Sequence, residues 1–399
     1  MEWKTRLIAT SCVLASLFSG GCGGTSSSGP SQPPPPGSIS VAVQPTSATI
    51  QIGLTQQFSA TVSNTGNTTV AWSVNGISGG NAELGTISSN GLYTAPASVP
   101  TPADLTITAV SQADTTKSAT ASATVLFPQF RHVFLLMEEN HAYADVIGNP
   151  SLPYLNSLAT TYGLATNYFA NTHPSIGNYF MLTTGQVITN DDTYNTTVDA
   201  DNLVRQLIAA GKTWKSYAES LPSVGYTGGD HYPYLARHNP FSYFSDVRNS
   251  SSQALNLVPF TQLATDLANN QLPDFGYIIP NAEHDAHDCP DGTANCTDTV
   301  KLTTLDSWLQ ANIDPLIASP AFQQDGLLII TFDESIDSDT QHGGGHVPML
   351  LISSKAKLKF QSATLFQHES TLRTLVEATG ASGLPGASAG AADMGEFFP

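Results

Sequence analysis

The sequence predicts an α/β protein built on a mostly parallel sheet, with a separate all-β block before it. Between residues 39 and 126, short segments rich in Val and Thr alternate apolar and polar residues and are separated by turn residues. That pattern is typical of half-buried strands. From residue 127 onward, continuous apolar strands alternate with helical segments. Such strands are expected in a parallel sheet that helices cover on both faces.

The first residues have the pattern of an export signal. Lys4 and Arg6 form a short basic region, residues 7–18 form a modest apolar core, and a Ser-Gly-Gly-Cys sequence ends at Cys22. The small residues before Cys22 resemble a bacterial lipoprotein cleavage site. We expect a signal peptide at residues 1–22, lipidation of Cys22 and a cell-envelope location; simple secretion is the alternative. Residues 23–38, rich in Gly, Ser and Pro, would form an extended linker.

The charge balance excludes some partners. The chain has 14 Lys and Arg against 32 Asp and Glu in 399 residues, for a formal net charge of −18. This argues against nucleic-acid binding and against adsorption to an anionic membrane by charge alone. We therefore expect membrane contact only through a lipid at Cys22. A phosphate-handling site in so acidic a protein needs a locally positive centre, which a bound cation would supply.

The expected elements follow the two patterns along the chain. Strands of the all-β block are expected at 39–43, 48–52, 56–62, 69–74, 105–110 and 119–126. Strands of the α/β part are expected at 132–137, 275–279, 327–332 and 347–352, and helices at 154–162, 202–210, 259–269, 302–317 and 369–379. Ligands in parallel sheets bind beyond the carboxyl ends of the strands, which is where the polar residues of this sequence fall.

The stretch from 171 to 185 begins as a loop and continues as a helix. Pro174 suits a first helical turn, and Ser175 lies where backbone N–H groups are unpaired. Taken alone, a serine at this place is better explained as a helix cap.

The ends of two strands change that interpretation. Glu138, Glu139, Asn140 and His141 follow the strand at 132–137, and Asp333 with Glu334 follows the strand at 327–332. Oxygen ligands from these two places, with the Ser175 hydroxyl, suit a hard or borderline divalent ion. Such an ion would lower the pKa of the hydroxyl and screen an incoming phosphate, and both effects favour attack on phosphorus.

Histidines gather in the same loops. Any one of them is best explained as a structural or surface imidazole. Five of the ten histidines, however, lie in three loops near these strand ends: His173, His284, His287, His342 and His346. Scattered structural use explains that clustering poorly.

Two cysteines lie outside the predicted signal. In an exported protein, Cys289 and Cys296 are close enough in sequence to form a local disulfide. A metal site shared with His284 and His287 is the alternative.

The all-β block resembles bacterial Ig-like domains in its segments 53–62, 70–74 and 85–96. The resemblance implies a β-sandwich with Trp72 in its core. It favours a spacer module; binding of carbohydrate or of a cell surface is the alternative.

Residues 127–399 resemble the bacterial phosphoesterase family of secreted acid phosphatases and, more distantly, phospholipases C, within the alkaline-phosphatase-like superfamily. The matching segments are 137–141, 172–175 with Asn178, Tyr179 and Gly185, 237–241, 280–281, 284–285, 287–288 and 332–334. The chain departs from the family at Gly177, where many relatives have proline.

The resemblance implies a role for each matching position. It makes Ser175 the nucleophile, Asn178 a donor to a phosphoryl oxygen, and Glu139, Asn140, Ser175, Asp333 and Glu334 the metal ligands. Binding of phosphate, protonation of the leaving group or binding of a second metal would fall to His284, Asp285 and His287, with His346, His173 and His238 as further candidates.

The implied function is metal-dependent hydrolysis of phosphoric monoesters, on a phosphorylated small molecule or lipid headgroup such as a phosphoinositide, through a phosphoserine. The identity and number of the divalent ions are left open. The alternatives are a phosphodiesterase or phospholipase C, and a cell-surface binding protein without catalysis.

Overall fold

The computed structural model describes residues 37–399. The predicted signal peptide, Cys22 and nearly all of the linker lie outside the described residues. None of the helices within 37–399 has the length and apolar character needed to cross a membrane.

Residues 40–126 fold as strands. The strands are β1 (Ser40–Gln44), β2 (Ser47–Gln51), β3 (Thr55–Gln57), β4 (Ser59–Ser63), β5 (Val70–Val74), β6 (Ile77–Ser78), β7 (Gly80–Asn81), β8 (Gly85–Ile87), β9 (Leu92–Thr94), β10 (Asp104–Ser111) and β11 (Ser118–Leu126). They form sheets in the orders β1-β4, β2-β11-β10-β5-β6 and β3-β9-β8-β7.

Along the longer strands of this block, more buried and less buried side chains alternate, as the alternating sequence predicts. In β10, Leu105, Ile107 and Ala109 are buried and the residues between them are more exposed. Trp72 is buried in the core. The strand expected at 56–62 divides at the buried Phe58, because β3 pairs with β9 and β4 pairs with β1. An all-β region is thus observed, and the assignment to Ig-like domains stays a prediction.

The remaining strands and helices alternate. The strands are β12 (His132–Glu138), β13 (Gly163–Ala165), β14 (Tyr168–Phe169), β15 (Trp214–Ala218), β16 (Leu257–Pro259), β17 (Phe275–Ile279), β18 (Gly326–Phe332), β19 (Met349–Ile352), β20 (Gln361–Ser362) and β21 (Phe366–Gln367). The α-helices are α1 (Tyr143–Val146), α2 (Pro153–Thr161), α3 (Ser175–Thr184), α4 (Leu203–Ala209), α5 (Ser245–Arg248), α6 (Ser251–Ala254), α7 (Thr261–Ala268), α8 (Asp298–Ile317), α9 (Pro320–Asp325) and α10 (His368–Thr379). Short 3₁₀ helices lie at Ala236–His238, Pro240–Tyr243, Pro290–Gly292, Gln341–Gly343, Gly386–Ala389 and Gly395–Phe397.

An eight-stranded sheet forms the centre, in the order β16-β15-β17-β12-β18-β19-β13-β20. The run from β16 to β18 is parallel, whereas β19 is antiparallel to both β18 and β13. Every residue of β12 and β18 is buried, which explains their continuous apolar sequences. The carboxyl ends of β15, β17, β12 and β18 therefore lie along one edge of the sheet.

The structure differs from the expected elements of the central sheet at both edges and in one strand direction. The sequence does not predict β13, β15, β16 or β20, and β16 ends at the first residue of the helix expected at 259–269, so that α7 begins at Thr261. The strand expected at 347–352 begins at Met349 and runs antiparallel, which makes the sheet mixed.

Candidate active site

Ser175 is the first residue of α3, and Pro174 occupies the N-cap position. The hydroxyl makes no capping hydrogen bond and is 4% exposed. Its Oγ lies 3.2 Å from Glu139 Oε2, 3.2 Å from Glu334 Oε1 and 3.4 Å from Asn140 Oδ1. The structure thus places the serine among the acidic and amide side chains, so it is not a helix cap.

Adjacent strands bring those side chains together. In the β12–β18 pair, Glu138 is opposite Phe332, so that Glu139 and Asp333 leave the sheet side by side. The Asp333 amide donates to Glu138 O at 3.0 Å, and the Glu139 amide donates to Asp285 O at 2.9 Å. Loops after three neighbouring parallel strands therefore supply Glu139, Asp285, Asp333 and Glu334, all of them buried.

Crowding changes the protonation of these carboxylates. Burial, with added repulsion from Asp285, raises the pKa of Asp333 to about 7. Burial and the charge of Asp333 raise the pKa of Glu334 to about 9. Burial raises the pKa of Asp285 to about 7, and burial together with the charges of Asp333 and Asp285 raises the pKa of Glu139 well above its usual value. The site cannot hold these groups ionised unless positive charge is added.

The donor set fits a cation. Asn140 Oδ1 lies 3.0 Å from Asp333 Oδ1 and 2.9 Å from Glu139 Oε2. If the side-chain amide is rotated so that its nitrogen takes this position, it donates a hydrogen bond to both carboxylates. If the oxygen stays there, three oxygens face one another and a cation is needed between them. Asp333 Oδ2 is buried without a hydrogen-bond partner, and the histidine nitrogens nearest to Glu334 Oε2 and Asp285 Oδ2 are not aligned for a hydrogen bond. Oxygen donors of this kind suit a hard divalent ion.

Tyr179 and His238 lie on one side of Glu139. The Tyr179 hydroxyl donates to Glu139 Oε1, and His238 Nε2 lies 3.1 Å from the same oxygen. His238 Nδ1 lies 3.3 Å from Asp285 Oδ2, and its ring stacks on Tyr179 with centroids 5.0 Å apart. Burial lowers the pKa of His238 well below its usual value, so the ring is neutral. Ligand atoms of Glu139, His238 and Asp285 lie within 4.8 Å of one another, as an ion would require.

His173 lies on the other side of the cluster. Its Nδ1 is 2.7 Å from Glu334 Oε2, and its Nε2 donates to Asp339 O at 2.9 Å. Ligand atoms of His173, Glu334 and Asp337 also lie within 4.8 Å of one another. His173 and His238, the last of the candidates from sequence, thus contact side-chain carboxylate oxygens of the Ser175 cluster. His141 and His368 contact the backbone carbonyls of Glu139 and Asp333 instead.

His284 and His287 lie further out. His284 Nδ1 is 2.9 Å from Glu219 Oε2, and its ring stacks on Trp308. The hydrogen bond to Glu219 raises the pKa of His284. His287 Nδ1 is 2.8 Å from Asp288 Oδ1, and its ring centroid is 6.2 Å from that of His238. Both side chains are about one-third exposed, which places them at the rim.

Two other candidates have different surroundings from those expected. The Asn178 amide oxygen accepts from the Asn171 and Thr172 amides at 3.0 and 3.1 Å, and its nitrogen donates to Thr172 O at 2.8 Å. These bonds hold the loop that precedes Ser175. His346 stacks between Tyr143 and Phe169, and burial lowers its pKa. The structure brings neither side chain into contact with the Ser175 hydroxyl.

Three residues of the site receive no role from the sequence: Tyr179, which only belongs to a matching segment, Glu219 and Asp192. Tyr179 follows Ser175 by four positions and so shares its helix face, a signal that could have identified it. Glu219 follows β15, a strand that the sequence did not predict. Asp192, whose Oδ1 accepts the Ile176 amide at 3.3 Å, has no sequence signal.

The two cysteines outside the predicted signal form a disulfide in the loop between β17 and α8. The Cα atoms of Cys289 and Cys296 are 5.7 Å apart. Their sulfurs are bonded to each other, so they do not form the alternative metal site with the neighbouring histidines.

The sequence profile of the Phosphoesterase family matches residues 149–380. The phosphatidylinositol-3-phosphatase of Mycobacterium tuberculosis is 31% identical over 255 residues, which cover 63% of this chain and 78% of that protein. A probable acid phosphatase of Kluyveromyces lactis is 29% identical over 234 residues, and an acid phosphatase of Aspergillus fumigatus is 30% identical over 219 residues. The matches cover 52% and 45% of these two fungal proteins, about half of their length.

Among solved structures, a protein of the alkaline phosphatase superfamily from Vibrio parahaemolyticus has a TM-score of 0.47 at 14% identity, over 64% of this chain and 68% of that one. The family profile covers more than half of the 399 residues and includes α3, which begins at Ser175, and the loops after β17 and β18. The chain therefore belongs to the phosphoesterase family and is a hydrolase of phosphoric esters.

Proposed function

We propose that the chain is a metal-dependent phosphoric monoester hydrolase that uses Ser175 as its nucleophile. The observation that supports this most directly is the buried Ser175 hydroxyl, 3.2 Å from a carboxylate oxygen of Glu139 and 3.2 Å from one of Glu334. A serine whose proton can pass to a neighbouring carboxylate can attack phosphorus. The names of the M. tuberculosis and fungal relatives favour monoesters as substrates.

The metal would be held by Glu139, Asn140, Ser175, Asp333 and Glu334, with Asp285 and His238 able to complete the site. When bound there, a divalent cation supplies Lewis-acid polarisation of a phosphoryl oxygen and favours the ionised serine.

The residues of the chain carry the proton and bond changes. Ser175 Oγ attacks phosphorus as its proton passes to a carboxylate, and the bond from phosphorus to the leaving oxygen breaks. His284, whose pKa is raised by its hydrogen bond to Glu219, donates a proton to the departing alcohol, with His287 as the alternative donor. Water then hydrolyses the phosphoserine. Asn178 fixes the approach of Ser175 through the loop that it holds.

The proposed cellular location of the enzyme is supported by sequence patterns alone. The signal pattern at residues 1–22 supports export, and Cys22 supports a lipid anchor in the cell envelope. The substrate would be an exported phosphomonoester or a lipid headgroup.

The test compares p-nitrophenyl phosphate with its bis-ester, using the full chain stripped of metal by a chelator and reloaded with single divalent ions. We expect metal-dependent release from the monoester. Ser175→Ala should lower kcat by about 10³-fold or more, as removal of a nucleophile does. Ser157→Ala, on an exposed face of α2, is the matched control and should leave the rate unchanged. Faster turnover of the bis-ester would reassign the enzyme as a diesterase, and full activity in Ser175→Ala would remove the nucleophile assignment.

A further inference from the structure

A polar groove of about 700 Å³ opens beside the Ser175 cluster, and the proposed mechanism does not use it. Its lining includes Arg237, Arg248, Asp192 and Asp230, with Gly228 and Gly229 adding little bulk. Arginine is scarce in this chain, which has only 14 Lys and Arg in total and a net charge of −18. Two arginines in one groove next to the nucleophile therefore require an explanation.

The groove adjoins the catalytic cluster through two of its lining residues. Asp192 lines the groove and accepts the amide of Ile176, the residue after Ser175, at 3.3 Å. Arg237 lines it and directly precedes His238, whose ring contacts Glu139 and Asp285. A molecule whose phosphoryl group lies at Ser175 can thus extend its other end into the groove.

Arg248 is held rigidly within this lining. Its Nε donates to Ser242 O at 2.7 Å, and its Nη1 donates to Asn195 O at 2.9 Å and to Thr197 Oγ1 at 3.3 Å. The guanidinium lies 4.9 Å from the centre of the Tyr243 ring. Within residues 37–399, its Nη2 has no hydrogen-bond acceptor. The side chain is therefore oriented in advance, with one donor left for a ligand.

The Arg237 guanidinium is held by one carboxylate, that of Asp230. Its Nη1 donates to Asp230 Oδ2 at 2.7 Å, while Asp230 Oδ1 accepts the Ala236 amide at 2.7 Å. The described chain offers no acceptor to Arg237 Nε or Nη2. Asp230 is thus bonded to Arg237 and to the backbone, and Asp192 is bonded to the backbone of α3, whereas donors of both arginines remain open.

We propose that this groove binds a second anionic group of the substrate, so that the preferred substrates are phosphomonoesters whose alcohol also carries a carboxylate or a phosphodiester. The inference rests on the proposed function and specifies its substrate class. Arg237 Nε and Nη2 offer the paired N–H groups that match two oxygens of a carboxylate or phosphate, and Arg248 Nη2 adds a further donor from the same lining. In a protein of this net charge, binding of a substrate with two separate anionic groups would depend on Arg237 and Arg248.

The test uses three aryl phosphates that differ in the charge of a remote group: phenyl phosphate, 4-(carboxymethyl)phenyl phosphate and tyramine phosphate. We expect the wild-type enzyme to prefer the carboxymethyl compound in kcat/KM. Arg248→Gln and Arg237→Gln should each lower the ratio of kcat/KM for the carboxymethyl compound to that for phenyl phosphate by at least tenfold, because a hydrogen bond between charged groups is lost. Arg248→Lys should restore part of the ratio.

Arg131→Gln is the matched control, since this exposed arginine precedes β12 at the opposite end of the strand from the site. It should leave all three rates unchanged. Equal losses on the three substrates in Arg248→Gln, or an unchanged ratio, would overturn the inference. Titration of Ser175→Ala with the carboxymethyl compound, with and without Arg248→Gln, measures binding apart from turnover. If the wild-type enzyme turns over none of the substrates but binding still depends on Arg248, the proposed phosphatase activity is rejected and the anion-binding role of the groove is retained.

The second anion could belong to a lipid or to a soluble molecule. Glycerophosphoinositol 3-phosphate in solution and phosphatidylinositol 3-phosphate in phosphatidylcholine vesicles present the same headgroup. Loss of turnover in Arg248→Gln on the soluble compound alone would favour a soluble source, and loss on both would favour recognition of the headgroup wherever it is presented. Turnover of both compounds that is independent of both arginines would overturn the inference.

Discussion

The Glu139 carboxylate lies between Ser175 on one side and Tyr179 with His238 on the other. One oxygen faces Ser175, while the other accepts from Tyr179 and lies 3.1 Å from His238 Nε2. The hydrogen bond from Tyr179 and the contact with His238 therefore restrict the plane of the Glu139 carboxylate. Groups that orient a metal ligand in this way commonly tune metal affinity and activity.

Tyr179→Phe tests this positioning role. The change removes the hydroxyl that donates to Glu139 and leaves the ring in place, so we expect metal affinity and kcat/KM to fall by about 10- to 100-fold. Metal titration followed by calorimetry measures the first, and monoester turnover measures the second. Tyr217→Phe is the matched control because its hydroxyl donates to the buried Asp266 at 2.7 Å, outside the site. The control should lose stability with its metal affinity intact; an unchanged metal affinity in Tyr179→Phe would contradict the role.

At the scale of elements, the beginning of α3 determines where Ser175 lies. The Asn178 amide ties Asn171 and Thr172 to the helix, and Asn190 Nδ2 donates to Thr172 Oγ1 at 2.9 Å. A Cβ at Gly177 would lie 2.3 Å from Asn190 Oδ1 and 2.6 Å from Thr172 Cγ2. The Gly177 amide also donates to Pro174 O at 3.3 Å, a bond that proline could not make. Glycine rather than proline at position 177 therefore leaves room for Asn190 to pack against the loop before Ser175.

Gly177→Ala should therefore destabilise the protein even though alanine favours helices. We expect a loss of about 1–3 kcal/mol in the free energy of unfolding, the usual cost of overpacking, with reduced turnover as Ser175 shifts. Urea denaturation and monoester turnover measure the two effects. Asn190→Ala in the same chain should recover part of the loss because it removes the nearest clashing atom. Gly390→Ala, where the closest atom to the added Cβ lies at 4.0 Å, is the control. A neutral Gly177→Ala would mean that the loop adapts without cost.

The sequence revealed those elements whose burial is complete on both faces. The strands β12 and β18 are continuous apolar runs, and predicting them located Glu139 and Asp333. The strand β15 was missed because its buried sequence includes Lys215 and Tyr217, which both bind Asp266, and Glu219 was missed with it. The bonds of Asn178 to its own loop depend on the tertiary fold, and so its sequence pattern could not separate positioning from phosphate binding.

Over the whole molecule, the all-β block is joined to the α/β part by buried charge as well as by apolar contacts. Arg373 of α10 donates to Val99 O at 2.9 Å and to Glu377 at 2.9 Å, while Asp393 accepts the Val99 amide at 2.7 Å. The Phe398 ring packs 5.3 Å from that of Phe127 where the two parts meet. Two carboxylates thus share one buried guanidinium, and one oxygen of Glu377 has no hydrogen-bond partner.

This arrangement makes stability depend on pH through Glu377. Burial, and then the charge of Asp393, raise the pKa of Glu377 from 4.5 to about 8, although Arg373 opposes the shift. Since the folded-state pKa is raised, the stabilisation by protonated Glu377 is complete below about pH 4.5 and is lost as the pH rises through about 8.

Glu377→Gln is neutral throughout, so its Tm relative to that of the wild type should rise by a few degrees between pH 5 and pH 9, on the order of 2 °C per kcal/mol. Thermal unfolding at a series of pH values measures this difference, and Glu83→Gln, at an exposed position, should show none. A simple ion pair between Glu377 and Arg373 would give the opposite slope, because the wild type would gain on the variant as the glutamate ionises.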